Sequence, residues 1–195
     1  DLYQKVVNYP QEVIPILDLV TQEIYKNISG EEREITVRTS NRMGTKSMRD
    51  LDPSDIDKLI AMKGMIIRSS PIVPNIQKAY YVCSNCSYNV MVEIERGNIK
   101  EPNECNECKS RNSMKIVHNL SVYSDKQYIK LQETVESIPE GETPQTVTLA
   151  VYDDLVDTTK PGDKVLVTGI YRANPIKVNS RSKKFKQVLY VFKLT

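Results

Sequence analysis

Two short segments decide the fold of this chain: Tyr80-Tyr81-Val82-Cys83-Ser84-Asn85-Cys86 and Glu104-Cys105-Asn106-Glu107-Cys108. Each segment contains a Cys-x-x-Cys pair, and 18 residues separate the two pairs. This spacing is typical of a zinc site in which two turns each supply two thiolates to one tetrahedral ion. Because four thiolates leave no position for a substrate water, we predict a structural zinc ion. The alternative is a pair of disulfides, which requires an oxidising compartment.

The segments on both sides of the cysteines have the pattern of short strands separated by turns. The predicted strands are 65–68, 78–82, 89–94, 114–118, 128–131, 147–152, 164–171 and 188–194. Many short strands of this kind are typical of a barrel or a sandwich. Because the cysteine pairs fall between early and late strands, we expect a metal-binding insertion in a β-barrel. The best candidate is an OB-fold, a barrel of about five strands that commonly holds single-stranded nucleic acid.

The first part of the chain has a helical pattern instead. Apolar residues recur at the spacing of one helix face, which we expect to pack on other helices: Val13, Ile16, Leu17, Val20 and Ile24. Asp52 followed by Pro53 predicts the start of a short helix that continues to about Ala61 and ends at Gly64. The predicted fold class is therefore mainly β with an N-terminal helical bundle, an OB-fold barrel and an inserted zinc-binding subdomain.

Composition is that of a folded globular protein, with 39% hydrophobic and 27% charged residues among 195. The apolar runs are a few residues long, whereas a membrane span needs about 20, so we expect no membrane partner. The chain begins at Asp1 instead of Met, and we therefore expect a piece of a longer protein.

Charge is distributed unevenly along the chain. Residues 164–195 contain eight Lys or Arg and no acid, whereas residues 1–163 carry a net charge of −6. Such segregation favours a polyanion partner, although a solvated basic surface is the simpler alternative. Residues 172–193 are predicted to form a hairpin whose cations contact DNA phosphates: Arg172, Lys177, Arg181, Lys183, Lys184 and Lys186. Phe185 and Tyr190 either stack on bases or hold the hairpin by packing.

The sequence offers no support for catalysis. None of its seven glycines is followed by lysine, so the phosphate-binding P-loop is absent. His118 is the single histidine, lies ten residues after Cys108 and is expected to be a strand residue, not a ligand. We predict no catalytic residues.

Eight motifs then point to a family. They are YPQEVIP at 9–15, MRDLDPSDID at 48–57, KGMIIRSS at 63–70, SDKQ at 124–127, KLQE at 130–133, DDLVD at 153–157, PGD at 161–163 and TGIYRANPI at 168–176. Taken together, they resemble the N-terminal domain of the minichromosome maintenance (MCM) replicative helicases over nearly the whole chain.

The resemblance implies a helical bundle at 1–50, an OB-fold at 51–79 resumed at 119–195, and a zinc-binding insertion at 80–118. It implies a nuclear protein that binds single- and double-stranded DNA, assembles with other MCM subunits into a heterohexamer, and joins a head-to-head double hexamer in origin licensing. The loop 133–143 is similar in position to the family's allosteric loop. ATP and Mg²⁺ would belong to a helicase motor beyond Thr195, so this chain is not expected to hydrolyse ATP.

By the same resemblance, one face of the OB-fold would bind single-stranded DNA through Arg68, Lys126 and Lys130. Many relatives have arginine after Pro144, where this chain has Gln145. One expected phosphate contact is therefore missing.

Two other classes of function remain open. The first is an OB-fold module with a zinc ribbon that binds only proteins, in which the basic hairpin meets an acidic partner. The second is an independent zinc enzyme, which requires an open ligand position. Salt-dependent DNA binding separates the first from a DNA-binding collar.

Overall fold

The computed structural model describes residues 1–33, 35–40, 42–93, 101–179 and 182–195, with the backbone alone at 175–179 and 182–186. The chain forms two compact units: Asp1–Pro71 together with Gln127–Thr195, and Ile72–Lys126. Residues 80–118, the predicted insertion, fall within the second unit, and so do residues 72–79. Among the described residues, no helix has both the length and the apolar character needed to span a membrane.

Two helices begin the first unit: α1 at Leu2–Asn8 and α2 at Pro10–Ser29. The Asp1 carboxylate accepts the amide of Tyr3 and caps α1. Pro10 occupies the first turn of α2, where its missing N–H has no cost. Gly30 ends α2 at a φ of 73°, a left-handed conformation that favours glycine.

The predicted packing face of α2 is wrong in part. Ile16, Val20 and Ile24 are exposed, while Ile14 is buried and Val13 and Leu17 are half-buried. The buried side of the helix is thus centred on Ile14, next to the predicted face. Apolar spacing along a helix predicts an amphipathic element, but the position of its neighbours decides which side is covered.

The helix predicted from Asp52 to about Ala61 is also wrong. A single 3₁₀ turn spans Pro53–Asp55, and strand β1 follows at Leu59–Ser69. The Asp55 carboxylate accepts the amide of Asp52 at 2.9 Å, a hydrogen bond that stabilises the start of this turn. Asp57 then adopts a φ of 65°, which ends the turn. Gly64 lies inside β1, where a Cβ atom would stand 2.7 Å from the backbone oxygen of Gln132.

Five strands close a barrel in the first unit. Besides β1, they are the second half of β5 (Val122–Gln132), β6 (Thr146–Tyr152), β7 (Lys164–Asn179) and β8 (Ser182–Leu194). The order is β1-β7-β8-β6-β5, and β5 pairs back with β1. Strands β6 and β8 run parallel. This is the topology of an OB-fold, as predicted.

The barrel interior is packed with aliphatic side chains. Met62, Leu131, Leu149, Val167 and Leu189 have no measurable exposure. At Gly169 of β7, a Cβ atom would lie 2.2 Å from the backbone oxygen of Tyr190 of β8. Glycine therefore allows the close approach of these two strands at the bulge between Thr168 and Gly169.

The second unit is built around strand β2 at Val73–Cys83. Strand β2 pairs with β3 (Asn89–Glu93), with β4 (Met114–Ile116) and with the first half of β5. The end of β2 carries Cys83. The prediction that His118 is a strand residue is wrong, because β4 ends at Ile116 and His118 begins a 3₁₀ turn.

Candidate functional site

The four cysteines of the second unit come together. The sulfur atoms of Cys83, Cys86, Cys105 and Cys108 all lie within 4.8 Å of one another. The Sγ atoms of Cys83 and Cys108 are 3.6 Å apart, and those of Cys86 and Cys105 are 3.5 Å apart. A tetrahedron with Zn–S bonds of about 2.3 Å has edges of about 3.8 Å. The four sulfur atoms are therefore spaced to hold one metal ion.

The two Cys-x-x-Cys turns share one backbone pattern. The Cys83 amide donates to the Tyr88 carbonyl and the Ser87 amide to the Cys83 carbonyl. In the second turn the Cys105 amide donates to the Ser110 carbonyl and the Lys109 amide to the Cys105 carbonyl. The residue after each second cysteine has a positive φ, 58° at Ser87 and 52° at Lys109. Two equivalent turns thus present their sulfur pairs to one centre.

The surroundings of Cys83 favour its thiolate. The Ser113 hydroxyl lies 3.3 Å from Cys83 Sγ, and the Asn85 amide donates to the same sulfur at 3.5 Å. These contacts lower the pKa of Cys83 to about 6.

A hydrogen bond from the Tyr88 amide lowers the pKa of Cys86, but burial and the neighbouring sulfur atoms outweigh it and raise that pKa to about 12, and the pKa of Cys108 is also raised. Because thiolates are the ligand form of cysteine, a metal ion that binds all four sulfur atoms would displace the protons that remain. His118 instead contacts the Tyr123 hydroxyl at 2.9 Å and is not a member of the cluster.

Two of the predicted DNA contacts face each other on the barrel. Arg68 of β1 and Lys130 of β5 are direct partners in the antiparallel register, and both side chains are exposed. Neither makes an ion pair with any residue that the structure describes. Like charges directly opposite each other destabilise a strand pair. The pair therefore forms an uncompensated positive site on the surface of the barrel.

An aromatic residue that the sequence did not single out lies on the same strand. Tyr128 of β5 is 39% exposed and two residues from Lys130, so both side chains leave the same side of the strand. The sequence alternates Tyr128 and Lys130 with the aliphatic Ile129 and Leu131, and this period-two pattern was a signal that could have identified Tyr128 as an outward-facing residue. Lys126, the third predicted contact, is half-buried in the second unit, where it pairs in register with Val73.

Arg172, another of the predicted contacts, is engaged inside its own unit. Its guanidinium lies 5.1 Å from the centre of the Tyr190 ring and 3.7 Å from the Asp57 carboxylate. Tyr190 also stacks on Tyr152 at 6.1 Å between ring centres. This cluster favours the packing alternative for Tyr190.

Strands β7 and β8 pair in antiparallel register as far as Asn179 and Ser182. Lys177 pairs in register with Lys183, and the backbones of Lys184 and Lys186 lie on β8. The side chains of these four lysines and of Phe185, together with all of Arg181, lie outside the described residues.

The loop 133–143 is fastened by one arginine. Arg49 Nε donates to both carboxylate oxygens of Glu133, at 3.0 and 3.2 Å, and Arg49 Nη2 donates to the Thr143 carbonyl at 3.1 Å. Arg49 also pairs with Glu142. The hydrogen bond to Glu133 raises the pKa of Arg49 above its ordinary value. Sequence reasoning missed this network because its members are up to 94 residues apart.

Fold and site define a class: an OB-fold domain with a four-cysteine insertion between its first two barrel strands. The family described as the MCM OB domain matches residues 47–175, and the chain belongs to the MCM family.

The chain is similar to the "DNA replication licensing factor mcm4" of Xenopus tropicalis, with 49% identity over 96% of this chain. It is 46% identical to the MCM4 of Arabidopsis thaliana and 40% identical to the mcm4 of Schizosaccharomyces pombe, each over 98% of this chain. The matches cover 22%, 23% and 22% of these three relatives, respectively. The family resemblance predicted from the motifs is confirmed.

Proposed function

We propose that this chain is the DNA-holding and ring-assembly collar of a replicative helicase, acting in the nucleus in replication licensing and unwinding. The observation that carries the proposal is the pairing of Arg68 with Lys130 on the barrel surface. A bound phosphate backbone converts this repulsion into attraction and releases counterions. The nearby Tyr128 offers a ring on which a base can stack.

The topology supports the same location. OB-folds bind oligonucleotides on the face of their second and third strands and on the loops after the first and fourth. Here the second barrel strand is β5, which carries Lys130. The loop after the fourth strand is the β7–β8 hairpin, to which we assign Lys177, Arg181, Lys183, Lys184 and Lys186 as further phosphate contacts.

A zinc ion held by the four cysteines is the second part of the proposal. Its role is structural, because all four ligands are protein sulfurs. Bound zinc neutralises the clustered thiolates and holds the two turns together. The Asn85 amide and the Ser113 hydroxyl orient the Cys83 sulfur from outside, as second-layer contacts do in metal sites.

The whole protein would extend beyond this chain, since its relatives are longer. We propose that it is an ATP-dependent DNA helicase whose motor, with ATP and Mg²⁺, lies outside residues 1–195. Its partners would be single- and double-stranded DNA, other MCM subunits in a heterohexamer, and an opposing hexamer in a double ring. The functional division would be 1–50 for helices, 51–79 with 119–195 for the OB-fold and hairpin, and 80–118 for the zinc insertion.

Fluorescence anisotropy with a labelled single-stranded oligonucleotide tests the proposal. The variant Arg68→Gln/Lys130→Gln is compared with Lys5→Gln/Arg33→Gln, which removes the same charge from other exposed positions. We expect the first variant to weaken binding about tenfold for each lost contact, since a charge-assisted hydrogen bond contributes about 1.5 kcal/mol.

The same variant is expected to melt at an equal or higher temperature, because it relieves a like-charge pair. Loss of affinity without loss of stability is characteristic of a binding residue. If the wild type fails to bind DNA at low salt, or both variants weaken binding equally, the barrel face is not the DNA site. The interaction-module alternative then gains support.

A further inference from the structure

A cavity of about 320 Å³ lies in the first unit beside α1. Its walls are mostly apolar and include Leu2, Val6, Val7 and Leu59. Its volume falls at the lower end of the range for ligand pockets, about 300–1,000 Å³. None of its lining residues belongs to the cysteine cluster or to the Arg68–Lys130 pair.

Two polar residues that line the same cavity, Thr39 and Arg42, have buried side-chain atoms without hydrogen-bond partners. Thr39 Oγ1 and two nitrogens of the Arg42 guanidinium, Nε and Nη1, are buried and form no hydrogen bond. No acidic side chain in the described part of the chain pairs with Arg42. Because a buried donor on a charged group is costly to leave unpaired, this arrangement favours an absent acceptor of negative charge.

The apolar surface extends beyond the cavity. Leu2 and Tyr3 line it and yet are 61% and 44% exposed, so apolar surface continues from the cavity onto the outer side of α1. A small free carboxylate would fill the cavity and leave this surface bare. A peptide covers both, with an apolar side chain inside and a carboxylate on Arg42.

We propose that this cavity binds an apolar peptide segment of a partner protein through a carboxylate that pairs with the Arg42 guanidinium. The site is independent of the proposed DNA face, and it adds a protein-docking function to the helical part of the chain. A planar guanidinium suits a carboxylate because it donates two parallel hydrogen bonds.

The test uses two acetylated and amidated heptapeptides of leucine, one with a central glutamate and one with a central glutamine. Binding to the 195-residue chain is followed by NMR of labelled methyl groups, with Leu2, Val6, Val7 and Leu59 as reporters. We expect saturable shifts at these methyl groups and at least about fivefold tighter binding of the glutamate peptide, since charge-assisted pairs are roughly twice as strong as neutral ones.

Variant Arg42→Met keeps much of the side-chain length and removes the charge, and Arg33→Met is the matched control at an exposed position. We expect Arg42→Met to abolish the preference for glutamate while its melting temperature stays equal or rises, because the guanidinium nitrogens Nε and Nη1 have no internal partner to lose. The Arg33→Met chain should keep the preference.

Three results would overturn the proposal. The first is equal affinity for both peptides, or shifts that do not reach the cavity methyl groups. The second is an Arg42→Met variant that unfolds at a clearly lower temperature, which would give the guanidinium an internal structural role. The third is tighter binding of 4-phenylbutyrate than of the glutamate peptide, which would identify a site for a small free acid.

Discussion

Replacing Arg49 with methionine should destabilise the first unit more than replacing its acidic partner Glu133 with glutamine. Glu133 is 2% exposed, and its carboxylate accepts one bifurcated hydrogen bond from Arg49 Nε and one hydrogen bond from the Gln145 amide. Without Arg49, a buried negative charge keeps a single neutral donor. Breaking a buried ion pair from one side costs about 3–5 kcal/mol.

Replacing Glu133 with glutamine should cost less stability than replacing Arg49 with methionine. Glu133→Gln removes the buried charge together with the pair, and its neutral side chain still accepts a hydrogen bond from the Gln145 amide. Arg49 keeps Glu142 and the Thr143 carbonyl as partners. We expect a loss of about 1–3 kcal/mol, the usual cost of an altered buried hydrogen bond. The structure thus predicts an asymmetry of about 2 kcal/mol between two substitutions in the same pair.

Urea unfolding of both variants measures this asymmetry, and hydrogen exchange locates it. Amides of residues 134–144 should lose protection in Arg49→Met before the barrel strands do, because Arg49 holds this loop at Glu142 and Thr143.

Lys164→Met is the control, since it breaks an exposed pair with Glu136 in the same loop and should change stability by less than about 1 kcal/mol. If Glu133→Gln proves as damaging as Arg49→Met, the uncompensated buried charge is not the cause and the reasoning fails.

Three further predictions follow from the barrel, the cysteines and Asp55. Gly169→Ala should cost about 3 kcal/mol or more in urea unfolding, because the new Cβ meets the Tyr190 backbone oxygen at 2.2 Å; a smaller loss would show that the strands can separate there. A chelator or Cys108→Ser should abolish one bound zinc per chain by elemental analysis and expose amides of residues 72–126, and zinc-free protein with unchanged exchange would contradict a structural role. Burial raises the pKa of Asp55, but its hydrogen bonds from Lys46 and the Asp52 amide outweigh burial and hold the pKa below its ordinary value of 3.8. The ionised Asp55 carboxylate therefore stabilises the fold above pH 3.8, and this contribution is lost as the pH falls through the lowered pKa. Asp55→Asn should be less stable than wild type at pH 7, and the difference in unfolding free energy should close in acid.

Spacing and turn chemistry made much of this structure predictable. The two Cys-x-x-Cys pairs identified a four-sulfur cluster because a metal-ligand motif is local in sequence. The strand pattern indicated an OB-fold because period-two burial and turn residues are also local signals.

Features that depend on distant residues were not predictable. Asp52 and Pro53 do start a turn, but the buried pairing of Leu59 with Ile170 draws the next residues into a strand. The covered side of α2 depends on neighbours that the helix pattern does not identify. The pairing of Arg172 with Asp57 spans 115 positions, so charge counting along the sequence does not reveal it.

Salt dependence of oligonucleotide binding tests the central claim most directly. The logarithm of the binding constant is measured against the logarithm of salt concentration for the wild type, for Arg68→Gln/Lys130→Gln and for Lys5→Gln/Arg33→Gln. Two lost phosphate contacts on a single strand should make the slope shallower by about 1.4 in the first variant alone. An unchanged slope in that variant would contradict a DNA site on the barrel face.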